Sequence, residues 1–294
     1  MRTGLITLFT AISLTVFGQQ NQTINLKWKI EKNETLNYLT EMSEIDTATY
    51  KAELGKILKS LSDSTVSGLK ESKKLFKKFD EEFKNQNYIF TLSNKGEGVV
   101  DIVMVSKPKE QVKESKSDTT NHPLKGFQKM TESLTKGVLL RGSVYETGGI
   151  HSFWVKSSQK NLISTFFELP KKPVKVGDKW SLDINLISND QSFVCDTSYK
   201  INEVTLAAIR ETKEDTIAVL KYNIVEYVEG NFESLSSLKQ GVTNIKTTMK
   251  FHYQGISEFS IAKGRWISYN GIMGLESTGA LKARQKSKFT LSEE

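Results

Sequence analysis

Three histidines, one cysteine and a large stock of carboxylates are the side chains of this 294-residue chain that could do chemistry. His122, His151 and His252 lie far apart in sequence, and none falls in the Cys/His spacing of a zinc motif. His151 alternates onto the face of Phe153 and Val155, which reads as a buried, hydrogen-bonded imidazole. His252 shares a polar face with Lys250 and Gln254 and reads as pointing outward. Cys195, in Phe193-Val194-Cys195-Asp196-Thr197, falls on the face of Phe193 and Tyr199 with no basic neighbour in sequence to favour the thiolate. It reads as a small buried hydrophobe, and a single cysteine can form no intramolecular disulfide. A Gly-x-Ser-x-Gly elbow, a P-loop and a dinucleotide-binding pattern are all absent. The carboxylates are left, and sequence spacing does not constrain a glycosidase-type pair. No catalytic residue, metal or cofactor is therefore assigned, and a carboxylate-dependent hydrolase is carried only as an alternative.

The residues that stand out are architectural. Between Phe167 and Leu182, Pro170 stops an apolar segment, Pro173 keeps the chain extended, Gly177-Asp178 offers a turn, and Trp180 opens a strand. Trp180 is too large to leave exposed without cost, so it is expected to be largely buried. With Trp28 and Gly264, which sits in the tight turn Ala262-Lys263-Gly264, these four form the set of structural anchors: Trp28, Pro170, Pro173, Gly177, Trp180 and Gly264.

The ends and the charge narrow the class. Met1 to Gly18 has a basic start at Arg2, an apolar core from Leu5 to Phe17 and a small residue before Gln19, the pattern of a secretory signal peptide. That core is shorter than the ~20 residues a membrane-spanning helix needs, and no later stretch is longer or more apolar. The mature protein is thus expected to be exported, periplasmic or secreted, with no transmembrane segment after cleavage. The formal charge of +7 is carried almost wholly by lysine interleaved with Glu and Asp. Nucleic-acid readers lean on arginine for bidentate and stacking contacts, so no nucleic-acid partner is expected.

Along the chain, Thr23 to Ile30 alternates as a half-buried strand, turns at Glu31 to Glu34 and returns from Thr35 to Ile45, an opening hairpin. From 48 to 85 the period becomes helical, with a Lys-rich face and a Phe stripe suited to covering a sheet. Tyr88 to Ser93 and Val99 to Ser106 form a second hairpin, and 107 to 123 reads as a mobile loop. A short helix from Leu124 to Thr135 leads to a third hairpin, Val138 to Glu146 with Ile150 to Ser157, around Thr147-Gly148-Gly149. Leu162 to Leu169 is a short amphipathic helix ending at Pro170. Long strands follow over Lys179 to Ile187, Phe193 to Ala207, Thr216 to Val228, Val242 to Ile261 and Arg265 to Leu281, and 283 to 294 reads as a polar tail. The segments opening at Trp28 and at Val174 echo one another as strand, polar turn, strand, so each could open one of two related halves.

The run Leu169-Pro170-Lys-Lys-Pro173-Val174-Lys-Val176-Gly177-Asp178-Lys-Trp180, the Gly148-Gly149 turn before it and Gly255-Ile-Ser-Glu-Phe259 to Gly264 after it cover roughly residues 137 to 282. They resemble a family of uncharacterised exported β-rich bacterial proteins, known chiefly as a domain of unknown function. The resemblance implies export and a β architecture, and it carries over no activity or site residue.

The expected fold is mainly β (α+β): one or two curved antiparallel sheets, half-barrel or clam-like, with covering helices. Residues 1–18 form the signal peptide, 19–169 an N-terminal half with the helical insert 48–85, 170–282 a C-terminal half, and 283–294 the tail. The lead expectation is an exported non-catalytic binding module for a lipid-like or other apolar small molecule. A structural or protein-partner module of the cell envelope is the second reading.

Overall fold

The computed structural model describes residues 22–45, 49–52, 86–107, 137–155, 161–187, 193–232, 246–279 and 281–294. Twelve strands make one antiparallel sheet that does not close into a barrel. Across it lie β7 (Ile150–Val155), β6 (Val138–Tyr145), β5 (Val99–Ser106), β4 (Gln86–Gly96), β2 (Thr35–Glu44) and β14 (Leu281–Glu293). The order continues with β13 (Arg265–Thr278), β12 (Thr247–Ser260), β11 (Thr216–Phe232), β10 (Phe193–Glu211) and β9 (Lys179–Trp180). β3 (Thr49–Ala52) also pairs with β14, and β1 (Thr23–Ile24) pairs with β8 (Val174–Lys175) in a separate two-stranded sheet.

The sheet curls around α1 (Asn161–Phe167). On β6, a methyl group placed on Gly142 would meet Ile163 of the helix, and on β13 the Tyr269 hydroxyl donates to the Thr165 carbonyl at 2.8 Å. Five strand spacings separate β6 from β13, ~24 Å in a flat sheet. A seven-residue helix is only ~10 Å long, so both contacts require strong curvature. The concave face is filled from within. Trp28, Phe166, Phe167, Phe259, Trp266 and Tyr269 are buried there, with ring centroids 4.9 to 5.8 Å apart along the contacts Phe259–Trp266, Trp28–Trp266 and Trp28–Phe167. Fully burying each such large apolar side chain is worth about 1.5–3 kcal/mol, so this cluster dominates the core.

The short helix is held by tertiary contacts. Seven residues are too few to be helical alone in water, and the last carbonyls of any helix lack intrahelical donors. Here the sheet supplies them: Tyr269 Oη donates to Thr165, Trp266 Nε1 to Phe166 at 2.7 Å and Trp28 Nε1 to Phe167 at 2.9 Å. After Pro170 the chain runs to β8, and 181–187 crosses the inner side of the sheet. The buried Glu226 carboxylate fastens that crossing. Its Oε2 accepts the Leu186 and Ile187 N–H groups, each at 2.8 Å, and Lys200 Nζ stands 2.7 Å from Oε1.

Several expectations change. The alternation of Ile24, Leu26, Trp28 and Ile30 is real, since all four are buried, and the turn near Asn33 exists with φ at 70°. The segment is nevertheless no hairpin partner of β2. Only Thr23–Ile24 is strand, pairing with β8, while the Trp28 and Lys29 N–H groups bond to Glu146 and Gly264. The segment that opens at Val174 pairs instead with Thr23–Ile24, just before the segment that opens at Trp28. Within Lys179 to Ile187 only β9 is strand. The polar tail is the largest correction: β14 lies between β2 and β13 and joins the two expected halves into one sheet. Its Ser287, Phe289 and Leu291 are buried on the inner face while Lys288 faces out, so one apolar pair in a polar stretch was enough. Residues 49–52 are strand where a helix was expected. The rest of the helical insert, residues 108–123 of the loop, the 124–135 helix and the signal peptide lie outside the described residues.

Candidate functional site

The anchor residues do what backbone chemistry asks of them. Gly177 has φ of +93°, where a side chain would be strained, and its N–H bonds to the Leu206 carbonyl at 2.8 Å while Asp178 accepts the Leu206 N–H. Gly264, at φ +61°, lies against Lys29, whose side-chain carbons would stand 2.5 Å from an added methyl. Pro170 is buried and Pro173 exposed. Trp28 is fully buried as expected, and Trp180, on the edge strand β9, is partly exposed but packs against the core, its buried Nε1 without a partner among the described residues.

The residues with chemical potential do not converge. His122 lies outside the described residues. His151 is exposed, contrary to expectation, because a register shift between Ser143 and Val144 turns it out of the β6–β7 pairing; its Nδ1 lies 2.8 Å from Ser143 Oγ. Ser143 is itself buried, and so is no accessible nucleophile. Cys195 is exposed rather than buried, next to an irregularity between Cys195 and Thr197 in the β10–β11 pairing. His252 faces outward but is half-buried over Gly274, and burial lowers its pKa below the usual histidine value. Among the described residues no group of three or more His, Cys, Asp or Glu side chains could hold a metal.

What the fold does assemble is a shallow groove of about 820 Å³ on the outer face of β10 to β14, bordered by Val176 and Gly177 of the hinge. Strand register makes its lining explicit. One row across the strands is Glu203–Asn223–Gln254–Ile272–Lys288, and the next is Thr205–Lys221–Ile256–Asn270. Between them the inward-facing row Tyr222–Gly255–Gly271 has no side chain at its two glycines. The Tyr253 side chain occupies that space from the core side, its hydroxyl oxygen 2.4 Å from where a Gly271 methyl would stand, and that hydroxyl donates to Tyr269 at 2.8 Å. Burial pushes the pKa of Tyr222, Tyr253 and Tyr269 far up, so this support beneath the groove stays neutral.

The groove's polar groups are largely uncommitted. Glu203 pairs with Lys179 at 2.9 Å. The carboxamides of Asn223, Gln254 and Asn270 and the ammonium groups of Lys221 and Lys288 have no partner among the described residues, and Ile256 and Ile272 expose 45% and 38% of their surface. Among the described residues Glu203 is the single carboxylate in the lining, whereas acid-base glycoside cleavage uses two. Sequence reasoning placed these residues on long strands but missed the site, since it arises from side-by-side register. The outward polar residues Lys221 and Asn223 on β11, and Gln254 on β12, were the only local signal. The chain matches no protein-family model, no curated protein and no solved structure.

Proposed function

We propose that this chain is an exported, non-catalytic binding module and that its ligand lies in the groove over β10 to β14. The observation that carries this reading is a groove lined by exposed isoleucines and by amide and ammonium groups that have no partner among the described residues, built on regular strands that an aromatic core backs. Binding sites combine a mostly pre-formed shape with a few convergent polar groups, and a strand scaffold fixes those groups better than loops do. Export rests on the signal-like first 18 residues. No helix among the described residues is long and apolar enough to cross a membrane.

An apolar small molecule suits this groove less well than the sequence suggested, because a purely apolar occupant would strip water from three carboxamides without replacing their hydrogen bonds. The concave face cannot take such a ligand beside α1 either, since the aromatic cluster fills it among the described residues. The test is native mass spectrometry of full-length protein isolated from its own cell envelope, compared with the variant Asn223→Ala/Gln254→Ala. A bound small molecule retained by the parent and lost by the variant at unchanged melting temperature supports the reading. Protein free of ligand, or equal retention by both, overturns it.

A protein-partner role has its own observation. β10 is an edge strand beyond the short reach of β9, and Val194 to Ile201 are exposed on both faces, with Tyr199 and Ile201 showing 47% and 39% of their surface. Exposed edges with apolar side chains invite strand addition. Under this reading Ile201→Lys abolishes capture of an envelope protein, and the groove variant does not.

A further inference from the structure

We infer that the groove binds an acidic oligosaccharide laid across the strands. This rests on the binding-module reading and names its ligand class. The two rows span five strands, ~19 Å at the usual strand spacing, and the groove is open along its length, a shape for an extended chain. Its central polar groups are carboxamides on three successive strands: Asn223 on β11, Gln254 on β12 and Asn270 on β13. A carboxamide both donates and accepts, as does a hydroxyl, so a ladder of such groups matches a ligand bearing many hydroxyls. Ile256 and Ile272 lie between them and present flat aliphatic surface to the C–H faces of sugar rings.

Charge sets the sign of the ligand. Lys179 already compensates the one carboxylate, Glu203. Lys221 and Lys288, three strands apart and in adjacent rows, ~16 Å by the usual strand spacing and rise, are left with no carboxylate partner among the described residues. Lys250 and Lys286, beside His252 on the same face, are partly offset by Glu276 opposite Lys250, so Lys221 and Lys288 carry the charge argument. Carboxylate or sulfate groups on the chain meet the lysines while its hydroxyls meet the amides.

Other anionic polymers fit less well. A nucleic acid strand needs exposed aromatic platforms or arginine planes for its bases; the lining has no arginine among the described residues, and its aromatic residue, Tyr222, is buried on the inward-facing row. An extended acidic peptide gains most from backbone pairing at a sheet edge, and the groove offers the face.

The test titrates the full chain with an oligogalacturonate, a neutral galactose oligomer of equal length, an acidic peptide and a single-stranded oligonucleotide, by calorimetry and backbone NMR. The inference expects the oligogalacturonate to bind at least tenfold more tightly than the other three, with shifts at Asn223, Gln254 and Asn270. It expects Lys221→Gln/Lys288→Gln to lose at least tenfold of that affinity at unchanged melting temperature, and added salt to weaken it. The inference is overturned if the oligogalacturonate does not bind, or if the lysine variant binds it as well as the parent. Tighter binding of the neutral oligomer, peptide or oligonucleotide in the groove overturns the ligand class and leaves the binding-module reading standing. If no probe binds there and the native protein also carries no ligand, both fall.

Discussion

At the residue scale, two positions decide more than their neighbours. Gly271 leaves the inner face of β13 bare so that Tyr253 can lie across it and reach Tyr269. Gly271→Ala places a methyl group 2.4 Å from the Tyr253 hydroxyl oxygen, and overpacking of this kind costs about 1–3 kcal/mol. Chemical denaturation should show that loss, and it should also weaken any groove ligand, because the backbone of the floor has to shift. Glu168, just past α1, is buried and accepts the Asp183 N–H at 2.7 Å, yet burial outweighs that bond and raises its pKa. An acid whose folded pKa lies above its unfolded value holds its proton more tightly when native. The resulting cost is absent below the unfolded carboxylate pKa of about 4.3, grows as pH rises through the folded value, and then stays constant. Glu168→Gln keeps an acceptor for Asp183 without the charge. Its melting temperature should exceed that of the parent at neutral pH, with the difference vanishing in acid.

At the element scale, α1 exists because the sheet caps it. The hydrogen bond from Trp266 Nε1 to the Phe166 carbonyl is buried, and removing the donor leaves that carbonyl without its partner. Trp266→Phe keeps an aromatic ring but deletes the N–H and part of the packing against Phe259 and Tyr269. A loss of at least ~1–3 kcal/mol is expected, and hydrogen exchange of the α1 amides should speed up more than that of the β11–β12 ladder. Equal protection of the helix in both proteins would mean that the cap contributes nothing. The helix itself was legible in sequence from Leu162, Phe166, Phe167 and Pro170. Its capping was not, because the three donors come from residues 28, 266 and 269.

At the scale of the whole molecule, the last strand closes the structure. β14 makes the connection between β2 and β13, so the sheet from β7 to β2 and the sheet from β13 to β9 meet only through it in the strand order. Truncation after Thr278 exposes two long edges and removes Phe289 and Leu291 from the core. The shortened chain is expected to lose its cooperative thermal transition and to aggregate, as seen by calorimetry and light scattering. A truncated protein that melts at the parental temperature would contradict the continuous sheet.

The β class, the hairpins β4–β5 and β6–β7, the helix before Pro170 and the inward alternation on β11 were all determined by the sequence itself. They depend on side chains one to four residues apart, and alternation or a turn signal reports such local geometry directly. Tertiary structure alone decided that the first extended segment lies inside the curl, that the polar C-terminal stretch is a central strand, and that His151 and Cys195 are exposed. It alone also put Asn223, Gln254 and Asn270 side by side. Strand register between distant segments is set by how two faces of a curved sheet share one core, and no single stretch of the chain carries that information.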